Sequence, residues 1–369
     1  MNKAQQTGMI IALPLSLGAL YLAFRHVPMV ELTAYFTSLN YVWLLPAILF
    51  CLLGYVLRAL RWQLLLRHKR QLRFLPAFHP MMIGFMLNSI LPGRVGEVVR
   101  PALLARKEKI PFPTAFSTIA AERVLDLAIL LSLLALIFGF ADMTSAEVHS
   151  FGDYRLSTDT LALIAKNMAL LCLALIGIII CLQINTLRNH GKAILRKLVS
   201  HLPGLSAGNR KTMENRVLPS MEKLLDQIAS GFDGLRKPSR LLLCLVFSLG
   251  VWLIQVLPFW FLAQAGTGIP ATMVQLTAVM VLVNFFIAIP SVPGFWGIWE
   301  AGIVFSLALF GIRGADAAGY ALLTHAVLMF PVIFVGLGSA LLTGFRFSAN
   351  HDPEACQKDL NDCDNLKKR

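Results

Sequence analysis

The segment Asn88-Ser89-Ile90-Leu91-Pro92-Gly93-Arg94-Val95-Gly96-Glu97-Val98-Val99-Arg100 places three charges in a stretch whose surroundings are almost wholly apolar. On a helix Arg94 and Glu97 are i,i+3, as are Glu97 and Arg100, so the three can form one ladder. Pro92-Gly93 breaks the helix just before them. Gly93 lets the chain turn, and the returning helix then starts with unpaired N–H groups and the positive end of its dipole. Guanidiniums beside such a start make an anion site suited to a lipid phosphate. A structural ion ladder at headgroup depth is the plainer reading of the same residues.

Two further groups of charges stand in apolar context. In Ala120-Ala121-Glu122-Arg123-Val124-Leu125-Asp126 the carboxylates of Glu122 and Asp126 are i,i+4 and share a helix face, and Arg123 can reach Asp126 or turn towards the Pro-Gly break. Either a structural clamp to Arg94 and Arg100 or a proton or substrate site fits that face. Glu300 is the only charge between Arg240 and Arg313. A lone carboxylate at membrane depth is a functional candidate, with capping of backbone amides as the alternative. His325 can face it from the last apolar stretch, although a lone histidine reads first as a packing residue. Trp296 and Trp299 read as interfacial anchors.

The elements that hold these residues follow from charge spacing. Intervals 4–24, 32–57, 74–93, 167–187, 241–299 and 317–345 contain no Asp, Glu, Lys or Arg. Each has about the 20 residues needed to cross roughly 30 Å of hydrocarbon as a helix. With 57% hydrophobic and 14% charged residues, and mean hydropathy +0.68, the chain is read as an all-α, polytopic helical membrane protein. The first apolar run, ending before Arg25, is long for a secretory signal and is read as an uncleaved span. The net charge of +13 is read as a topology signal rather than a nucleic-acid surface, because the basic residues cluster in alternate loops. Arg58, Arg61, Arg67, Lys69, Arg70 and Arg73 form the first cluster, Arg106, Lys107 and Lys109 the next, and a long run from 188 to 240 the third. The opposite loops hold Arg25, Arg155 and Arg313 among Glu31, Asp142, Glu147, Asp153, Asp159 and Asp316. Both termini are therefore expected in the cytoplasm of a multi-pass protein of the cytoplasmic (inner) membrane.

The first break lies between two basic clusters, so its helices are expected to enter the membrane, turn and return, although two complete crossings in place of this hairpin or its counterpart would leave the terminal topology unchanged. Pro92-Gly93-x-x-Gly96-Glu97 is matched by Pro293-Gly294-x-x-Gly297-x-x-Glu300, and a single Asn precedes each break, Asn88 or Asn284. The order span, span, hairpin, span fits residues 8–139 and again 160–344 from the opposite side. Such an inverted-topology repeat with two opposed broken-helix hairpins is a transporter signature, and matched breaks point to its binding site. Residues 1–345 are thus one membrane domain, with a cytoplasmic amphipathic loop at about 184–239 expected to lie on anionic lipid. Residues 346–369 read as a polar, disordered cytoplasmic tail. No cysteine framework, metal-ligand spacing or cofactor motif is legible.

The combination Asn88-x-x-x-Pro92-Gly93-Arg94-x-Gly96-Glu97-x-x-Arg100, then Glu122-Arg123-x-x-Asp126, then Pro293-Gly294-x-x-Gly297-x-x-Glu300 resembles the transmembrane region of the lysylphosphatidylglycerol synthetase family, a flippase-like domain. The resemblance runs from the first span to about Phe345. It implies movement of aminoacylated or other modified lipids between leaflets, in some members alongside a fused soluble transferase domain, which is not expected here. The family's second repeat often carries an Arg in its last span where this chain has Thr324-His325, so the substrate need not be the family's.

The expected activity is transport of a modified or anionic membrane lipid, without enzymatic chemistry. The alternatives are a membrane-embedded transferase acting on a lipid carrier, or an accessory subunit of a lipid-modifying synthase. Asn88, Gly93, Arg94, Glu97, Arg100, Arg123, Asn284 and Gly294 are the candidate substrate-binding residues. Glu122, Asp126 and Glu300 are the candidate proton or ion-pair network. The expected partners are the lipid itself and a possible synthase, with no nucleic acid.

Overall fold

Apolar stretches of this length satisfy their backbone groups internally only as helices, and the regular structure of the described residues is all helical. The computed structural model describes residues 3–25, 27–140, 218–266, 269–288 and 292–345, with single positions between 166 and 193. Eleven α-helices have described bounds: α1 Lys3–Phe24, α2 Met29–Thr37, α3 Leu44–Leu66, α4 Phe74–Ile90, α5 Val95–Glu108, α6 Phe112–Phe140, α7 Leu218–Phe232, α8 Pro238–Ala265, α9 Met273–Phe286, α10 Ile298–Ala308 and α11 Gly314–Thr343. Three, Tyr41–Leu66, Pro238–Ala265 and Gly314–Thr343, are long and apolar enough to cross a membrane, and Leu13–Phe24 with Met29–Thr37 makes a fourth if that pair, bent by 81°, is one span. The acidic loop from 142 to 159, the span expected at 167–187, most of the loop before 218 and the tail from 346 lie outside the described residues.

Local chemistry explains where the helices begin. Pro238 opens α8 at a position where a missing N–H costs nothing. Thr272 and Gln275 form a capping box at the start of α9, with Gln275 N–H donating to the threonine hydroxyl at 3.3 Å and Thr272 N–H donating to the glutamine side chain at 2.8 Å.

Two helix pairs pack along their length, α3 with α8 and α4 with α11. In the second pair Gly336 lets α11 sit directly on α4, since a Cβ there would collide with Met86 Cβ and approach the Met82 carbonyl to 2.7 Å. The main core joins both pairs through Phe259, Leu262, Met280, Ile303, Tyr320 and Ala321, all nearly or fully inaccessible.

The amphipathic helix α7 docks on protein rather than lying on lipid alone. Thr114 of α6 donates to the Gln227 carbonyl at 3.3 Å, the Thr114 and Ser230 hydroxyls are 3.1 Å apart, and a Cβ on Gly231 would strike Ser117. Met221 and Leu224 on its other face remain exposed.

Candidate functional site

Both Pro-Gly breaks adopt the same backbone solution. Gly93 has φ +76° and Arg94 φ +53°, while Gly294 has φ +72° and Phe295 φ +61°. Two consecutive left-handed residues reverse the chain after Pro92 and after Pro293, and glycine takes the first without penalty. The returning helix α5 lies so close to α4 that a Cβ on Gly96 would fall on the Gly84 carbonyl oxygen. Its first turn has no side-chain cap and carries Glu97.

The two breaks meet. Arg94 donates a hydrogen bond to the Ile287 carbonyl, just past the end of α9, and its guanidinium lies 5.9 Å from the Phe295 ring. A Cβ on Gly294 would come within 3.1 Å of the Ser89 carbonyl. Beside this junction is a cavity of about 180 Å³. Tyr55, Arg58, Trp252, Gln255 and Phe259 form the wall from α3 and α8; Phe85, Asn88, Ser89, His325 and Leu328 form the wall from α4 and α11; Arg94, Glu97, Arg123, Asn284 and Gly294 complete it. Six of the residues proposed from sequence, Asn88, Arg94, Glu97, Arg123, Asn284 and Gly294, therefore line one space, and Gly93 makes the turn beneath it. Asn88 Oδ1 is buried and has no hydrogen-bond partner among the described residues.

The expected ladder Arg94–Glu97–Arg100 does not form as drawn. Glu97 Oε1 lies 3.8 Å from Arg94 and 3.9 Å from Arg123, so Arg123 turns to the break and not to Asp126. Arg100 points away from the cavity into a buried bidentate pair with Glu122, at 2.9 and 3.1 Å, with its guanidinium 3.8 Å from the Trp62 ring. Asp126 pairs with Arg61 at 2.5 and 3.1 Å, accepts from Trp252 Nε1 at 3.2 Å, and lies 3.7 Å from Arg58. Glu122 and Asp126 thus share a face but serve different partners.

Arg58 and Arg61 correct the sequence reading, which counts them in a cytoplasmic cluster. They are inside α3, Arg61 fully buried and Arg58 opening onto the cavity beside the Trp252 ring. Their i,i+3 spacing at the end of an apolar run is the available signal, and it is masked by the basic residues that follow.

Glu300 does cap the second break, accepting from Gly297 N–H at 2.7 Å, and it also meets His325, with Nδ1 2.6 Å from Oε1. His325 Nε2 lies 2.7 Å from the Gly294 carbonyl oxygen. The reading of His325 as a packing residue is therefore incomplete. Trp296 and Trp299, expected as interfacial anchors, instead flank the imidazole with ring centroids 4.4 and 5.3 Å away. No group of three potential metal ligands occurs among the described residues.

Long apolar helices with buried, paired charges and a polar cavity between broken helices define a multi-pass helical membrane protein. Residues 9–336 match the family described as lysylphosphatidylglycerol synthase TM region, and the chain belongs to that family. It is similar to glycosyltransferase AglD of Haloferax volcanii, with 28% identity over 306 residues, covering 77% of this chain and 46% of that protein. The chain thus spans about half the length of that relative. It is also similar to the UPF0104 membrane protein MJ1595 of Methanocaldococcus jannaschii, with 24% identity over 296 residues, covering 79% and 81% of the two chains. No solved structure matches.

Proposed function

We propose that this chain moves an anionic or otherwise modified lipid between leaflets, taking the headgroup into the cavity while the acyl chains remain in the bilayer. The observation that carries this reading is that Arg58, Arg94 and Arg123 line one cavity while their nearest carboxylates stand 3.7, 3.8 and 3.9 Å away. These guanidiniums have hydrogen-bonding capacity left for an anion. The volume of about 180 Å³ is below the roughly 300–1,000 Å³ of sites that enclose a drug-sized ligand, which suits a headgroup alone.

In this reading the two breaks are opposed re-entrant hairpins of an inverted repeat, both termini are cytoplasmic, and the protein works in the cytoplasmic membrane without enzymatic chemistry. The matching dihedrals at Gly93 and Gly294, and the tip-to-tip contact of the breaks, support it. A second reading, favoured by the name of the Haloferax relative, is a membrane-embedded transferase acting on a lipid carrier.

The test is reconstitution of the full chain in vesicles with fluorescent phosphatidylglycerol, followed by chemical quenching of the outer leaflet. Protein-dependent access to the inner pool, lost in Arg94→Ala, is the expected result. Transfer no faster than in protein-free vesicles overturns the reading for this lipid class. Protein-dependent glycosylation of a lipid carrier supplied with a nucleotide sugar would favour the second reading.

A further inference from the structure

The arrangement around His325 fixes a proton count. A backbone carbonyl only accepts hydrogen bonds, so the contact of Nε2 with the Gly294 oxygen at 2.7 Å requires a hydrogen on Nε2. A neutral imidazole then has only a lone pair on Nδ1, and that atom lies 2.6 Å from Glu300 Oε1. Two lone pairs do not approach so closely, so a proton lies between them on one side or the other. The other carboxylate oxygen is already engaged with Gly297 N–H at 2.7 Å. Whether written as imidazolium and carboxylate or as imidazole and carboxylic acid, the pair is neutral and holds one proton more than a free histidine beside an ionised glutamate.

The same pair ties down both ends of the second break. The imidazole holds the Gly294 carbonyl, and the carboxylate holds the N-terminus of α10 at Gly297, where a Cβ would collide with the Ser16 backbone of α1. Glu300 is fully buried and His325 nearly so, yet His325 lines the cavity, which gives the proton a way out. Among the described residues the charged groups sharing that cavity are Arg94 before α5, Glu97 on α5, Arg123 on α6 and Arg58 on α3; α4, α8 and α9 present Asn88, Gln255 and Asn284 but no charge. The described side chains of α1 are uncharged.

We infer that His325 and Glu300 form a proton-binding site that couples lipid movement to a proton, an inference that rests on the transport reading above. With the proton bound, the break is closed and the cavity offers its guanidiniums to an anion. Loss of the proton through the cavity leaves one uncompensated negative charge beside it. That charge repels an anionic headgroup and sets lone pair against lone pair, so the Gly294 tie is released. The sign follows: the closed form binds the extra proton, so lowering the pH favours closure and raising it favours opening.

Glu300→Gln separates the alternatives, because the amide can donate to Nδ1 and accept from Gly297 N–H while having no proton to release. The first measurement is tryptophan fluorescence of the purified full chain in detergent, scanned across and beyond about pH 5 to 8, the interval in which a free imidazole changes charge. Trp296 and Trp299 report on the adjacent imidazole. A transition in the wild type that is absent from folded Glu300→Gln, or from His325→Gln should the first variant not fold, supports the site. An identical profile in wild type and variant, or no transition in the wild type, overturns it. The second measurement uses vesicles with fluorescent phosphatidylglycerol and a trapped pH dye. Proton flux that accompanies lipid transfer in the wild type and falls to the protein-free level in the variant is the expected result. Lipid transfer with no proton flux, unchanged by Glu300→Gln, removes the coupling and leaves the transport reading standing. A fluorescence transition without lipid transfer removes the transport reading and the coupling with it, and leaves a proton-binding site alone.

Discussion

Arg94, in the first break, donates to the carbonyl of Ile287 at the end of the helix that leads to the second. A cation at a helix C-terminus satisfies an orphan carbonyl and complements the dipole. The same guanidinium faces the cavity, so an anion that enters competes with the tie between the hairpins. Arg94→Lys keeps the charge but not the reach or the fork. It is expected to slow lipid transfer by about tenfold or more, the equivalent of a charged hydrogen bond of ~1.5–3 kcal/mol, while gel filtration shows folded protein. Wild-type transfer by this variant would mean that the tie is dispensable.

Arg58 and Arg61 are one turn apart on α3 and are expected to fail differently. Arg61 is fully buried and forms the close pair with Asp126, so Arg61→Ala strands a buried carboxylate and costs about 3–5 kcal/mol. Arg58→Ala removes a cavity-lining group whose carboxylate neighbour is 3.7 Å away. Thermal unfolding should fall steeply for the first and little for the second, whereas vesicle transfer should fall for the second at equal amounts of folded protein.

Arg100 and Glu122 are expected to act as a joint between α5 and α6 and not as a substrate contact. Either Arg100→Met or Glu122→Leu alone leaves a buried charge and should destabilise by about 3–5 kcal/mol. The double replacement should recover much of that loss. Additive losses in unfolding of the two single variants and the double variant would argue against direct pairing.

Gly96→Ala pushes a methyl into the Gly84 carbonyl, and backbone cannot yield as a side-chain tip does. It should destabilise the hairpin by at least ~1–3 kcal/mol, the usual cost of overpacking. Gly18→Ala, with no atom of the described residues within 4 Å of the added carbon, is the matched control. Limited proteolysis of the two proteins gives the comparison, and equal resistance would disprove the close approach.

The breaks were legible because Pro-Gly before a charge is a local signal, and Glu122 and Asp126 were legible as one face because i,i+4 spacing is local too. Their partners were not. Arg58 and Arg61 are hidden by a charge pattern that already had an explanation in topology, and Glu300 finds His325 across 25 residues, a contact set by how α10 packs on α11. The amphipathic pattern of α7 reported an apolar face truthfully but could not say whether lipid or α6 covers it.

The close seat of Gly336 on Met86 has a mechanical consequence. At that crossing α11 has no side chain of its own to yield, so sliding along α4 would press its backbone onto Met82 and Met86, and the first hairpin and the last helix form one blade. The α3–α8 pair forms the opposing blade, and the cavity is the gap at which the two edges meet. A hinge that enlarges this gap must part the blades, carrying Arg58 on one edge away from Asn88 and His325 on the other.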